Sequence, residues 1–347
     1  MVALTQSVAR TIPRPELRPR RVGVVLNARA RKVDDETLSW IRAVVPHDDL
    51  FLSQSIEDLG PICDMLLARR YDAVLWGGGD GTFVQGTARL LASCEARRVH
   101  LPDVGVLRLG TGNAVAETLG SAQPTPDGLA LDLSRARAHA RRRELAMLEV
   151  EGMPSVFCGF GLDAMIQDDY NRTVGWLKRT GLAPKLESAG ARYFISVATQ
   201  SIPRFAMSSR PEIVAVNRGT PAIRVDVDGR QIGDPIPAGR VLWRGHASLA
   251  SAATVPYYGL GLKMFPHAQK SLEKFQLRLA DTGTVEALAH LREVWRGNYQ
   301  GETIHDFLCD EVELMLSRPA PFQSGGDLVG DRSSVTISLS PRRLSVI

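Results

Sequence analysis

The feature that most constrains the fold is a strand that runs directly into a series of glycines. Residues 71–76 are mostly apolar and strand-sized, and Gly77-Gly78-Gly79-Asp80-Gly81-Thr82 follows at once. A helix-like stretch, residues 83–92, comes next. Glycines let the backbone approach a ligand closely, and ligands bind at the carboxyl ends of strands in open α/β sheets. The pattern therefore predicts an α/β domain with a binding loop at this strand end.

The same alternation extends through the first part of the chain. Strands are predicted at residues 22–26, 49–52 and 104–107, and helices at 36–45, 55–70, 113–119 and 129–139. Strands that alternate with helices favour a parallel, doubly wound sheet. The sequence thus predicts a nucleotide-binding-type α/β domain over residues 21–139, preceded by a basic leader at 1–20.

From about residue 140 the pattern changes to short strands separated by turns. Such strands are predicted at 144–150, 155–158, 212–216, 222–227 and 335–339, with helices near 170–178, 189–199 and 285–296. We therefore expect a second, β-rich domain over residues 140–347. Its last strands can return towards the first domain.

A second glycine-rich turn, Leu109-Gly110-Thr111-Gly112-Asn113, also follows a strand and precedes a helix. Two such loops at one edge of a parallel sheet predict a nucleotide cleft, in which glycine N–H groups and helix N-termini face phosphate. Thr111 and Asn113 can bond phosphate, ribose or the neighbouring turn; the alternative is that Asn113 only caps the helix. Neither loop matches a Walker or a dinucleotide-binding pattern.

Asp80 gives the first loop a negative charge. A carboxylate beside a polyphosphate is repulsive unless a divalent cation lies between them, so we interpret Asp80 as a Mg²⁺ partner, direct or through water. The alternative is a tight turn in which Asp80 caps the helix.

The two loops together support a family resemblance. Gly78-Gly79-Asp80-Gly81-Thr82, followed about thirty residues later by Leu109-Gly110-Thr111-Gly112-Asn113, resembles the diacylglycerol kinase catalytic domain shared by bacterial lipid kinases and sphingosine kinases. Weaker similarity continues through Asn27 and residues 159–164, 265–268, 296–297 and 325–327. The resemblance implies a nucleotide-binding domain, a C-terminal β-sandwich and a cleft between them.

The resemblance also implies an activity and its site. The expected reaction is transfer of the ATP γ-phosphoryl group, with Mg²⁺, to the hydroxyl of diacylglycerol or a related lipid, as in phospholipid biosynthesis. The implied nucleotide-binding residues are Asn27, Gly78, Gly79, Asp80, Gly81, Thr82, Gly110, Thr111, Gly112 and Asn113. Asp80 is also the implied metal ligand and a catalytic residue.

Three departures from the family pattern bear on that activity. Ala114 follows Asn113 where many members have an aspartate, and residues 269–274 lack a matching pair of aspartates, which makes a structural Mg²⁺ site doubtful there. Gly325-Gly326-Asp327 replaces Asp-Gly-Glu, whose aspartate is a candidate general base. Asp327 can take over proton acceptance or only order a turn. If residues 161–164 match the family, the resemblance implies a position near the cleft for Asp163; the alternative is a helix N-cap.

Two other functions remain open on the sequence. One is a nucleotide- or lipid-binding protein on the same scaffold, favoured by the altered triplet at Asp327. The other is an NAD kinase, which shares the Gly-Gly-Asp-Gly-Thr turn but lacks a supporting Asn-Glu pair downstream.

Composition limits the partners and the location. The net charge is +4, and Arg135, Arg137, Arg141, Arg142 and Arg143 form a cluster that can attract anionic lipid or simply be solvated. We expect salt-sensitive, peripheral attachment to anionic membranes and no nucleic-acid partner. No apolar run approaches the ~20 residues that cross a bilayer. Four dispersed cysteines suggest neither zinc nor a disulfide scaffold, and so favour the cytoplasm.

Overall fold

The structure is a computed structural model that describes residues 20–30, 32–138, 142–161, 210–299 and 301–347. Its first part alternates strands and helices as predicted. The elements are β1 (Val22–Asn27), α1 (Asp35–Val44), β2 (Leu50–Ser53), α2 (Leu59–Ala68), β3 (Ala73–Gly78), α3 (Asp80–Arg97), β4 (Asp103–Arg108), α4 (Ala114–Leu119) and α5 (Pro126–Arg137).

The strands of this part form a parallel sheet in the order β2-β1-β3-β4. Alternate side chains of β1 enter two different cores: Val25 packs with α2, α3 and α4 residues, whereas Val24 and Leu26 pack with α1 and α5 residues. Helices therefore cover both faces of the sheet, and the predicted doubly wound arrangement is confirmed.

The rest of the described chain is mainly strands, as predicted. Its elements are β5 (Arg143–Val150), β6 (Met153–Ser155), β7 (Phe157–Gly161), β8 (Glu212–Asn217), β9 (Ile223–Val225), β10 (Val241–His246), β11 (Leu249–Ala253), β12 (Phe275–Ala280), α6 (Thr284–Ala289), α7 (Leu291–Arg296), β13 (Ile304–Cys309), β14 (Glu311–Ser324) and β15 (Asp327–Val346). Side chains from β5, β8 and β10 share one core with side chains from β7, β11 and β12. The strand-rich, sandwich-like second half is confirmed.

One strand connects the two halves. The C-terminal end of β15 pairs with β5. It also pairs with β4, where Val346 aligns with Val104, and so extends the parallel sheet. The N–H of Ile347 donates to the carbonyl of Val104 at 3.1 Å. The sheet therefore runs from β4 through β15 into the second half without a break.

Several predicted boundaries were wrong by a turn or less. Helix α2 begins at Leu59 and not at residue 55, because the Asp58 carboxylate accepts N–H groups of Gln54 and Ser55 and holds them in a turn. Pro61, in the first turn, suits the later start. The helix predicted at 285–296 is confirmed as two short helices, α6 and α7.

Some predictions lie outside the described residues. They are the leader up to residue 19, Arg141 and the expected boundary near 140, Asp163, and the helices near 170–178 and 189–199. Across the described residues, no helix combines the length and apolar character needed to cross a membrane.

Candidate active site

The first glycine-rich loop lies where three parallel strands end. β1, β3 and β4 bring Asn27, Gly78 and Arg108 to the same edge of the sheet. Gly79 is the N-cap of α3, an 18-residue helix that begins at Asp80. The aligned peptide dipoles of such a helix favour negative charge at its N-terminus. This edge can therefore hold an anion.

The second loop lies directly on the first. A side chain at Gly110 would overlap the Cα of Gly79, so the two loops can approach only because Gly110 has no Cβ. None of their glycines has positive φ, and the left-handed residue is Asn113, at φ 57°. The glycines are required here for close approach.

Asn113 stabilises its own turn. Its side-chain oxygen accepts the Gly110 N–H at 2.9 Å, and its amide donates to the Gly110 carbonyl at 2.8 Å. The residue is buried and makes no side-chain cap to α4. The bond to its own turn was not among the predicted roles, and the alternative, a side-chain cap of the helix, is not what the structure has; Thr111 is partly exposed beside it.

Asp80 joins the two loops through hydrogen bonds. Its carboxylate oxygens accept the N–H of Ala114 at 3.0 Å and that of Val115 at 2.9 Å, so Asp80 caps α4, the helix that follows the second loop. The predicted alternative, in which it caps its own helix, is not what the structure has. Burial raises the pKa of Asp80, and the two backbone N–H bonds oppose that shift. Each oxygen retains a second lone pair for another ligand.

A cleft of about 450 Å³ opens from the first loop towards β1 and β2. Of the predicted residues, its walls include Asn27, Gly79, Gly81, Thr82 and Asp327. The Asn27 amide donates to the Thr82 hydroxyl at 3.1 Å, which fixes the start of α3 against the end of β1.

Six further polar residues line the cleft, and no sequence motif had singled them out as site residues. They are Arg29, Ser53, Gln54, Ser55, Glu57 and Gln85. Arg29 lies just after the end of β1, and Ser53 lies at the end of β2. Their position at the sheet edge was the one signal in the sequence that could have identified them as site residues. Arg29 gives the cleft a cation that can pair with phosphate.

Asp327 reaches the cleft from the far end of the sequence. Gly325 and Gly326, at φ 60° and 89°, form the hairpin turn between β14 and β15. Asp327 Oδ2 lies 3.1 Å from the point that a Cβ on Gly81 would occupy. Asp327 is exposed at the mouth of the cleft, and desolvation by the nearby protein raises its pKa. Arg332, five residues further along β15, pairs with Glu151.

The described residues contain no cluster of three or more histidine, cysteine or acidic side chains suited to a metal ion. In the segment that lacks the family's aspartates, the Lys270 ammonium donates to the carbonyls of Gly229 at 2.7 Å and Asp228 at 3.3 Å. The Lys270 ammonium group therefore binds those loop carbonyls.

The described arginines of the basic cluster are engaged within the protein. Arg135 and Arg142 lie against Asp132 and Asp103, while Arg137 and Arg143 donate to carbonyls of Val44 and Leu119. These contacts favour the structural interpretation of the cluster.

Gly79→Val is expected to weaken ATP binding strongly while the protein stays folded. The Gly79 backbone is extended, which suits valine, and a Cβ there lies 3.5 Å from the Gly110 Cα, an ordinary contact. The added methyl groups instead occupy the cleft that Gly79 lines. Calorimetric titration with ATP measures the loss, and Gly79→Ala is the matched control. Unchanged ATP affinity in Gly79→Val would contradict the phosphate cradle.

Gly110→Ala is expected to destabilise the protein. The new methyl group overlaps the Gly79 backbone, which cannot move aside as a flexible side chain can. Overpacking of this kind costs about 1–3 kcal/mol. Thermal unfolding should show a lower Tm than in the parent. Gly60→Ala, in open space on α2, is the matched control, and an equal Tm for both variants would refute the close contact.

Comparisons with known proteins agree with this geometry. Residues 22–147 match the family model of the diacylglycerol kinase catalytic domain. A structure described as "A putative diacylglycerol kinase from Bacillus anthracis str. Sterne" matches with a TM-score of 0.63 and 16% identity, over 96% of this chain and 98% of that one. Another, of a diacylglycerol kinase from the same organism, gives a TM-score of 0.60 and 14% identity at the same coverage. No curated protein matches.

At these identities the two structures show a common fold and nothing finer. The family match covers both glycine-rich loops and the four parallel strands that carry them. The family resemblance drawn from the sequence is thereby confirmed: residues 22–147 match the catalytic domain of the diacylglycerol kinases, a lipid kinase family, and the chain shares the fold of the two Bacillus anthracis proteins.

Proposed function

We propose that this protein is a kinase that transfers the γ-phosphoryl group of ATP to a lipid hydroxyl, with diacylglycerol or a related lipid as acceptor. The observation that carries the proposal is one juxtaposition. The first glycine loop, the N-terminus of α3 and the Asp327 carboxylate border a single cleft, and the second glycine loop packs directly against the first. Phosphoryl transfer depends chiefly on positioning and charge stabilisation, and these are the means the cleft offers.

The phosphate chain of ATP is assigned to the first loop. Gly79 and Gly81 leave the backbone open to the cleft, Thr82 offers a hydroxyl, and Arg29 offers a guanidinium. The positive end of α3 adds to their attraction for an anion. Gly110 and Gly112 pack against Gly79 and Asp80 beside this loop, while Asn27 and Asn113 hold the two loops in shape.

The residues present are compatible with Mg²⁺ carried by ATP. Magnesium is usually held by one or two carboxylates together with substrate phosphates and water, so a lone Asp80 suffices on the protein side. Asp80 retains unused lone pairs after capping α4. When bound, the cation neutralises charge that develops on the transferring group. Asp80 would hold it directly or through water.

Asp327 is the proposed general base. Its carboxylate lies beside Gly81 at the mouth of the cleft, where a lipid hydroxyl can approach from outside. Its raised pKa brings the group closer to the working pH and so makes it a better proton acceptor than an ordinary aspartate. Asp327 would accept the hydroxyl proton as the oxygen attacks the γ-phosphorus.

The proposed acceptor requires access to a membrane. The comparisons support a lipid kinase family, and lipid hydroxyls of this class lie at a bilayer surface. We propose that the protein acts in the cytoplasm and attaches peripherally to anionic lipid. The competing proposal, a binding protein without turnover, is favoured only by the altered triplet that contains Asp327.

One assay separates the proposals. Purified protein is incubated with Mg²⁺, ATP labelled on the γ-phosphate and a panel of lipids in mixed micelles, and the lipids are separated by thin-layer chromatography. A labelled lipid that disappears with unlabelled competitor ATP supports the kinase. Label on NAD and on no lipid would indicate an NAD kinase, while ATP binding without any labelled product would favour the binding protein.

A further inference from the structure

We propose that an exposed apolar and basic surface beside the second glycine-rich loop docks this protein onto anionic lipid. We name it the Trp295 surface, and it consists of Leu260, Lys263, Arg292, Trp295 and Arg296. It combines α7 with part of the connection between β11 and β12. The inference rests on the proposed lipid kinase function for its purpose, because a kinase of membrane lipids must meet the bilayer near its cleft.

Helix α7 supplies the centre of the surface. Arg292, Trp295 and Arg296 stand at positions i, i+3 and i+4, so their side chains share one face of the helix. All three are exposed, and Trp295 retains 40% of its accessible area. Indole rings combine an apolar body with a polar N–H, and they concentrate at membrane–water interfaces for that reason.

The neighbouring loop presents a leucine under backbone strain. Leu260 adopts φ 51°, a region that bulky side chains avoid, and it is 36% exposed. Such conformations persist where surrounding structure enforces them and often mark functional segments. Here the Leu260 N–H donates to the Gly112 carbonyl at 2.9 Å. The leucine is therefore fixed at the surface by the second glycine-rich loop.

Loop and helix form one continuous surface. The Lys263 N–H donates to the Trp295 carbonyl at 2.9 Å, and the indole nitrogen lies 3.9 Å from a Cβ built on Gly261. The same loop touches the catalytic region, since a Cβ built on Gly112 lies 3.7 Å from Gly259 Cα and 3.1 Å from Asp80 Oδ2. Docking here would bring the second glycine-rich loop and Asp80 to the lipid surface.

The charges on this surface suit an anionic partner. Within the described part of the chain, no carboxylate lies within ion-pair distance of Lys263, Arg292 or Arg296, and Glu293 is the acidic residue of α7. The described arginines of the sequence cluster, by contrast, are engaged internally. Three such cations around a tryptophan and a leucine match an anionic bilayer, where charge attracts and apolar side chains insert.

Vesicle flotation of the full chain tests this surface. Vesicles of phosphatidylcholine with about one third phosphatidylglycerol are compared with pure phosphatidylcholine, at low and high NaCl. R292Q/R296Q should lower the apparent partition coefficient roughly 30-fold at low salt, at about fivefold for each charge removed. W295S should reduce the binding that persists at high salt. Matched controls at β10 and the residue before it, R240Q/R244Q and V241S, should stay within about twofold of the parent.

Three results would overturn the inference. Either the parent fails to float with anionic vesicles at low salt, or R292Q/R296Q and W295S float as well as the parent. A loss equal to that of the β10 controls would likewise refute a specific surface. Circular dichroism and Tm identify any variant that fails to fold, and R292K/R296K, which keeps the charge, should then restore flotation.

A kinase assay of the same variants separates this inference from the proposed function. On a short-chain, monomeric diacylglycerol, R292Q/R296Q should retain the parent's rate, and on vesicles it should lose most of it. A parent that floats through this surface but phosphorylates no lipid would refute the kinase and leave the docking surface intact. A kinase whose vesicle rate is unaffected by R292Q/R296Q would refute the docking surface and leave the kinase intact.

Discussion

Asp80→Asn should reduce turnover roughly 10²–10³-fold or more, with the overall fold preserved. The carboxylate accepts one N–H from Ala114 and one from Val115. Asparagine has nearly the same volume but offers one oxygen, so its amide group would face a backbone donor. The substitution thus removes a charge beside the proposed phosphate site and also loosens the start of α4. Steady-state turnover on the lipid identified by the labelling assay measures the loss.

The Mg²⁺ dependence of the residual activity distinguishes the two effects. If Asp80 contacts the cation, directly or through water, Asp80→Asn should need more Mg²⁺ for half-maximal rate. Asp132→Asn is the matched control, because Asp132 is a buried aspartate that accepts the Ala122 N–H away from the cleft, and its loss should lower stability with little effect on turnover. Equal turnover in Asp80→Asn and the parent would exclude both roles of Asp80.

Asp327→Asn should lower the chemical step by roughly 10²–10⁴-fold, the usual contribution of a general base, with ATP affinity little changed. The Asp327 side chain sits beside Gly81. Within the described part of the cleft, it makes no contact on which the fold depends. Single-turnover kinetics separate this step from binding and product release, and calorimetry reports ATP affinity. Asp331→Asn, an exposed aspartate further along β15, is the matched control.

The pH profile gives an independent test. A base acts in its ionised form, so the rate should rise with pH through the pKa of Asp327. Because desolvation raises that pKa, the rise should lie above the range of an ordinary aspartate. In Asp327→Asn this limb should vanish. An Asp327→Asn protein with the parent's rate and the same pH limb would show that another group or water accepts the proton.

The first domain could be predicted well because its signals are local. Each strand is an apolar run, and each glycine turn directly links a strand to a helix, so fold class and both loops were evident. For the second half, the sequence predicted that strands dominate but not where most of them begin and end. Strands β14 and β15 are 14 and 20 residues long, but their polar and apolar residues do not alternate consistently, and the sequence indicated only the segment 335–339.

The candidate site was predictable where it depends on residue type and not where it depends on tertiary contact. The charge of Asp80 was noticed, but its partners are backbone N–H groups 34 and 35 residues away, which carry no sequence signal. Arg29, Ser53 and Gln85 are ordinary surface residue types that become cleft walls only when strand ends converge. The ligand roles of these residues, and the Mg²⁺ and ATP assignments, stay predictions.

The pairing of β15 with β4 constrains how this protein can be made. A ribosome releases residues 22–108 long before it releases residues 343–347, so the parallel sheet must wait with β4 as a bare edge. Exposed strand edges readily pair with other chains. Until β15 is synthesised, the β4 edge at Val104 therefore lacks its strand partner, and a nascent chain would be open to pairing with other chains there.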